Sequence, residues 1–151
     1  MGTRFIPTKH VDPWLRLVLQ VNQLKKHYPS FTTRIVPGQG LVCTGKIQPT
    51  DHSPSYKFRL TLAQHRIPDV RIVDPAIPWH SDIHMYSNGT LCLYDHRDRR
   101  WHEGDELYKS IIPWLAEWLV CYELYQFTGK WQGPEASHGS DPKTPQSQPV
   151  V

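Results

Sequence analysis

Residues 56–63, YKFRLTLA, alternate without a break: Tyr56, Phe58, Leu60 and Leu62 point one way, Lys57, Arg59, Thr61 and Ala63 the other. A period of two over this length specifies a strand with one buried face and one wet face. Such a strand needs sheet partners and a covering layer. The partners are close by. Residues 32–36 (TTRIV) are β-branched, Pro37-Gly38-Gln39-Gly40 makes a turn, and Leu41, Cys43 and Ile47 then alternate with Val42, Thr44 and Lys46. After a polar loop at 49–55 comes the 56–63 strand, and Asp69 to Val73 supplies a fourth, shorter one. Four consecutive strands on short connections predict an antiparallel meander with one buried face.

The cover comes from helices at both ends. Asp12 followed by Pro13 reads as an N-cap and first helical residue. From there Trp14, Leu17, Val18, Val21, Leu24 and Tyr28 recur at three- and four-residue steps, and Pro29 stops the run, which predicts a helix over 13–28. Trp114, Leu115, Trp118, Leu119, Tyr122 and Tyr125 share one face of a second helix, with Gly129 placed as its left-handed cap. The expected class is α+β. The expected organisation is one domain over residues 1–132 and a disordered polar tail over 133–151 (GPEASHGSDPKTPQSQPVV), since such a composition buries too little to order itself.

Composition narrows the function. The net charge is +3, and the Lys and Arg residues lie scattered along the chain apart from Arg97, Arg99 and Arg100, which argues against a nucleic-acid-binding domain. Three cysteines without paired spacing, and no apolar core in residues 1–10, fit a reducing cytoplasm rather than secretion. The apolar stretch from Ile111 to Tyr125 is interrupted by Pro113, Glu117 and Glu123, and is shorter than the roughly 20 residues of a membrane span.

Between the sheet and the second helix, residues 75–106 hold no sustained period, and irregular segments of that length inside a compact domain are usually functional. There the chain reads His84-Met85-Tyr86-Ser87-Asn88-Gly89-Thr90-Leu91-Cys92-Leu93. Asn88-Gly89 is a tight-turn signal, and a reversal there returns His84 to the neighbourhood of Cys92. A nucleophilic Cys needs partial exposure and nearby positive charge, which His84, His96, Arg97 and His102 could supply. Cys92 between two leucines also fits a small buried hydrophobe, whereas Cys43 and Cys121 fall on apolar faces and read as core. His84, Cys92, His96 and His102 do not show the ligand spacing of zinc sites. No metal and no cofactor is expected. A Cys–His hydrolase would use the same atoms, but no third member of a triad is apparent.

Helix, meander, Pro-bearing turn (Asp74-Pro75-Ala76-Ile77-Pro78-Trp79) and Asn88-Gly89-Thr90-Leu91-Cys92-Leu93 followed by a helix: this order resembles the ubiquitin-conjugating fold over residues 11–131. The resemblance implies that Cys92 accepts a protein C-terminus as a thioester and passes it to an amine. The family's His-Pro-Asn tripeptide survives only as His84, followed by Met85 and Tyr86, so the usual oxyanion-stabilising Asn is missing. A donor of that kind is worth about 2.7–4 kcal/mol elsewhere. Tyr86, Asn88 or a backbone amide would replace it, and Asp95 or Asp98 would assist the incoming amine. His84, the Leu-Cys-Leu strand, Trp101, Trp114, Trp118 and the ending Gly129-Lys130-Trp131…Pro134-Glu135…His138 are together similar to stand-alone bacterial E2-like proteins of type II CBASS antiphage systems. That likeness implies a cGAS-like nucleotidyltransferase as partner, engaged through its C-terminus, and a protein lysine as acceptor. The alternatives are an inactive binding module of the same fold and, less favoured, the nucleic-acid-binding domain.

Overall fold

A computed structural model of the chain describes residues 12–94 and 101–133. The elements run α1 (Pro13–His27), β1 (Thr32–Val36), β2 (Gly40–Ile47), β3 (Tyr56–Leu62), β4 (Asp69–Asp74), a single 3₁₀ turn (Ser81–Ile83) and α2 (Ile111–Thr128). Asp12 caps α1 as the sequence predicts, its carboxylate accepting from the Trp14 N–H at 2.8 Å. Lys25, Lys26 and His27 occupy the last turn, where the helix dipole favours positive charge. The strands form an antiparallel meander in the order β1-β2-β3-β4.

One sheet face is dry. Tyr56, Phe58, Leu60 and Leu62 are all buried, and their register partners Leu41, Cys43, Val70 and Ile72 are buried with them. Leu17, Val21 and Leu24 of α1 and Ile111, Ile112, Leu115, Trp118 and Leu119 of α2 close the same core. Two side chains lock the layers. Gln20 acts as a substitute backbone: its amide nitrogen donates to the Asp105 carbonyl (2.7 Å) and its oxygen accepts from the Leu107 N–H (3.0 Å). Glu123 of α2 accepts from Ser53 (2.8 Å) and Tyr56 (2.9 Å).

One expectation for α1 fails. Trp14, placed on the apolar face by its spacing, is 53% exposed. Its ring lines a groove of about 280 Å³ with Ile35 and the Pro37–Gly40 turn, at the end of the sheet.

The other sheet face buries Val42 but is otherwise polar and largely exposed, and it changes the reading of charge. Pairing sets Thr44 opposite Arg59, Arg59 opposite Arg71 and Lys46 opposite Lys57. With Arg34 on β1, cations far apart in sequence gather on one surface. Alternation had spread them along the chain, which is why they looked scattered.

Candidate active site

The segment after β4 returns to the sheet. The Leu91 N–H donates to the Val70 carbonyl at 2.8 Å, tying the segment to the β4 edge at that residue. The reversal that makes this feasible is the expected one. Tyr86 N–H donates to the Thr90 carbonyl and Gly89 N–H to the Tyr86 carbonyl, both at 2.9 Å, with Gly89 at φ +87°. Only glycine holds that conformation without strain. Asn88 tightens the turn, its side-chain oxygen accepting from the Thr90 N–H (3.0 Å) and hydroxyl (2.7 Å). Because Met85 pairs with Leu91, His84 falls opposite Cys92, and the Cys92 N–H donates to the His84 carbonyl at 3.0 Å. Tyr86, Thr90 and Cys92 therefore belong to one face of the hairpin, with the His84 backbone opposite Cys92.

His84 is held from several directions. It caps the 3₁₀ turn in the left-handed region, at φ 51° and ψ 57°. Its carbonyl also accepts from the Trp118 indole N–H at 3.1 Å, so α2 grips the same atom that Cys92 does. Its ring stacks on Trp131, with centroids 5.1 Å apart, and Trp131 leans on Trp118 at 5.4 Å. Next door the Trp79 indole donates to the Met85 carbonyl at 3.2 Å. The sequence marked Trp118 as core and Trp131 only through a resemblance. The signal for their contact with His84 was weak: an aromatic residue two positions beyond the Gly129 cap, where a chain leaving a helix can fold back.

Cys92 does not lie at an accessible bend. It is 5% exposed, with Thr90, Leu91, Leu93 and Tyr94 buried around it. The cause is strand alternation at a sheet edge. Leu91 and Leu93 join the hydrophobic core, while Cys92 does not and is turned to the opposite face. There the Tyr86 phenol hydrogen-bonds to the thiol, and Sγ lies 3.5 Å from the Tyr94 carbonyl. Burial first, and then the bond to Cys92, push the Tyr86 phenol above the ordinary tyrosine range.

The remaining predicted residues divide. Asn88 sits at the turn tip with its side-chain oxygen already used, which leaves its amide nitrogen as a donor. Asp95, Asp98, His96 and Arg97 lie outside the described residues, as do Pro134, Glu135, His138 and the rest of the expected tail beyond Gly133. His102 is exposed and paired with Asp105. Cys43 and Cys121 are buried, as expected of core thiols. Burial raises the Cys43 pKa, partly opposed by a hydrogen bond from Thr33. Among the described residues no helix is long and apolar enough to cross a membrane.

Comparison with curated proteins returns no match. A family model described as type II CBASS E2 protein matches residues 20–139, and so takes in the sheet, the His84–Cys92 hairpin and α2 together. The match also runs past residue 132, where composition had placed the start of a tail. An α+β meander flanked by two helices is consistent with an E2-like fold, and with the match spanning most of its length the chain belongs to the family of type II CBASS E2 proteins.

Proposed function

We propose that the chain is a thioester-forming transfer enzyme with Cys92 as its nucleophile. The observation that carries this reading is the pairing of Cys92 with His84 across a glycine turn, on a hairpin face turned away from the core, in a chain of an E2-like family. The thiol gives up its proton and attacks an activated carbonyl carbon, and the carbon–sulfur bond forms as the bond to the activating group breaks. The acyl group is the C-terminus of a cGAS-like nucleotidyltransferase. In the second half an amine, from an acceptor lysine, attacks the thioester carbon, and the sulfur leaves and recovers a proton.

Tyr86 suits the place of the missing oxyanion donor. Its phenol is already within hydrogen-bonding reach of the sulfur, and its raised pKa keeps it protonated, hence a donor, throughout the neutral range. His84, fixed by α2, orders the loop opposite the thiol. Asp95 or Asp98 assists the amine by accepting its proton. The expected division, with a catalytic domain to residue 132 and a polar tail after it, belongs to the same proposal.

Incubation with the nucleotidyltransferase and an activating enzyme, read by intact mass and non-reducing gels, tests it. The wild type should form a thiol-sensitive adduct, Cys92→Ala none, and Cys92→Ser a thiol-resistant ester. A reactive Cys43 or Cys121 beside an inert Cys92 would end the assignment. The second reading, an inactive binding module, is favoured by the 5% exposure of Cys92. It requires that Cys92 stay unmodified in the folded protein under iodoacetamide.

A further inference from the structure

We infer that Trp131 is a positioning residue for the Cys92 site: the short strap over residues 129–133 folds its ring back against His84 and so holds the backbone opposite the thiol. His84 sits in the left-handed region at φ 51° and ψ 57°, where a residue with a Cβ is disfavoured. Such a residue persists only where its surroundings fix it from more than one side. Two donors fix the carbonyl, the Cys92 N–H at 3.0 Å and the Trp118 indole N–H at 3.1 Å. The ring needs a separate hold, and Trp131 supplies it, with centroids 5.1 Å apart and 29° between the planes. Release of the ring lets His84 relax to an ordinary conformation, which turns its carbonyl away from Cys92.

The strap is built for this contact. Gly129 ends α2 at φ +73°, its N–H donating to the Tyr125 carbonyl at 2.8 Å, and the Lys130 N–H donates to the Thr128 hydroxyl at 3.2 Å. Past that turn the chain doubles back along α2. A side-chain carbon added at Gly133 would lie 2.8 Å from the Trp131 indole nitrogen and 3.0 Å from the sulfur of Cys121, about two helical turns before the cap. Gly133 is not among the positive-φ glycines, so its missing side chain answers to this close approach.

The indole serves by its face and not by its hydrogen bond. The Trp131 Nε1–H is buried and has no partner among the described residues. A buried donor left unpaired is destabilising, so what this ring contributes is apolar area and the stack on His84. Phenylalanine presents the same kind of face with no donor to leave unpaired. Trp118 differs, because its N–H is used.

The inference rests on the thioester reading only where transfer is measured. The test compares full-chain variants by iodoacetamide alkylation of each cysteine, located by peptide mass, and by single-turnover transfer. Trp131→Ala should speed Cys92 alkylation about tenfold while leaving Cys43 unchanged, and should slow transfer about tenfold or more. Gly133→Ala, which crowds the indole off its seat, should act in the same directions. Trp131→Phe should match the wild type in both readouts, as should Phe127→Ala, a change near the end of α2 at a side chain 93% exposed. Cys43 and Cys92 speeding together would mean general loosening of the fold and overturn the proposal. So would unchanged Cys92 alkylation in Trp131→Ala, or a Trp131→Phe variant as impaired as Trp131→Ala. If the wild type fails to transfer while the alkylation pattern holds, the thioester reading falls and the positioning role stands.

Discussion

Cys43 and Cys92 are both nearly inaccessible, yet they occupy different kinds of burial. Cys43 points into the space between sheet and helices, fully enclosed, with the Thr33 hydroxyl donating to its sulfur. Cys92 lies in the hairpin tied to the β4 edge, outside the main hydrophobic cluster, with the Tyr86 phenol and the Tyr94 carbonyl beside its sulfur. Accessible area alone does not separate them. What does is the surroundings: Cys43 belongs to the packed cluster between sheet and helices, while Cys92 has the Tyr86 phenol and the Tyr94 carbonyl beside its sulfur.

The sharpest way to break this contrast is Tyr86→Phe. If the phenol serves the oxyanion, transfer should slow about 10²–10³-fold while the first-turn geometry persists, read as single-turnover rates. Unchanged rates would remove Tyr86 from the chemistry. Next in size is native-state alkylation. Cys92 should react with iodoacetamide about tenfold or more faster than Cys43, and the two should converge in denaturant. Equal native rates would erase the distinction.

Smaller effects concern stability. Cys43→Ala should cost about 1–2 kcal/mol in denaturant melts, because the core cannot close fully around the lost sulfur. Cys92→Ala, outside the core, should cost about 0.5 kcal/mol or less. The smallest effect is alkaline. The Cys43 pKa is raised on folding above its ordinary 9.0, so above that pH the unfolded state holds fewer protons than the folded one and stability falls as pH rises. Cys43→Ala should remove the first part of that decline. The later part, where the raised phenols of Tyr56 and Tyr86 act above pH 10.0, should remain.

Much of the fold was written in local pattern. The 56–63 alternation, the Asp12-Pro13 cap and Gly129 each carry their own physical instruction, and the strands and helices they predicted differ from those observed only at their ends. The site was legible where it is local as well: Asn88-Gly89 turns the chain, and the turn fixes His84 opposite Cys92. What stayed hidden depends on residues distant in sequence. The exposure of Trp14 follows from where the sheet ends, and the burial of Cys92 from the bond between Leu91 and Val70. The gathered cations follow from strand register, and the grip of Trp118 and Trp131 on His84 from how α2 crosses the hairpin.

That grip ties the fate of the hairpin to the helix. Trp118 is 4% exposed, wedged in the core, and its indole N–H holds the very carbonyl that Cys92 also uses. A loop anchored this way has no melting transition of its own. Heating should leave the thiol's surroundings intact until the helix itself detaches, so the machinery fails all at once, and a warmed sample holds working molecules and collapsed ones with few half-competent forms between them.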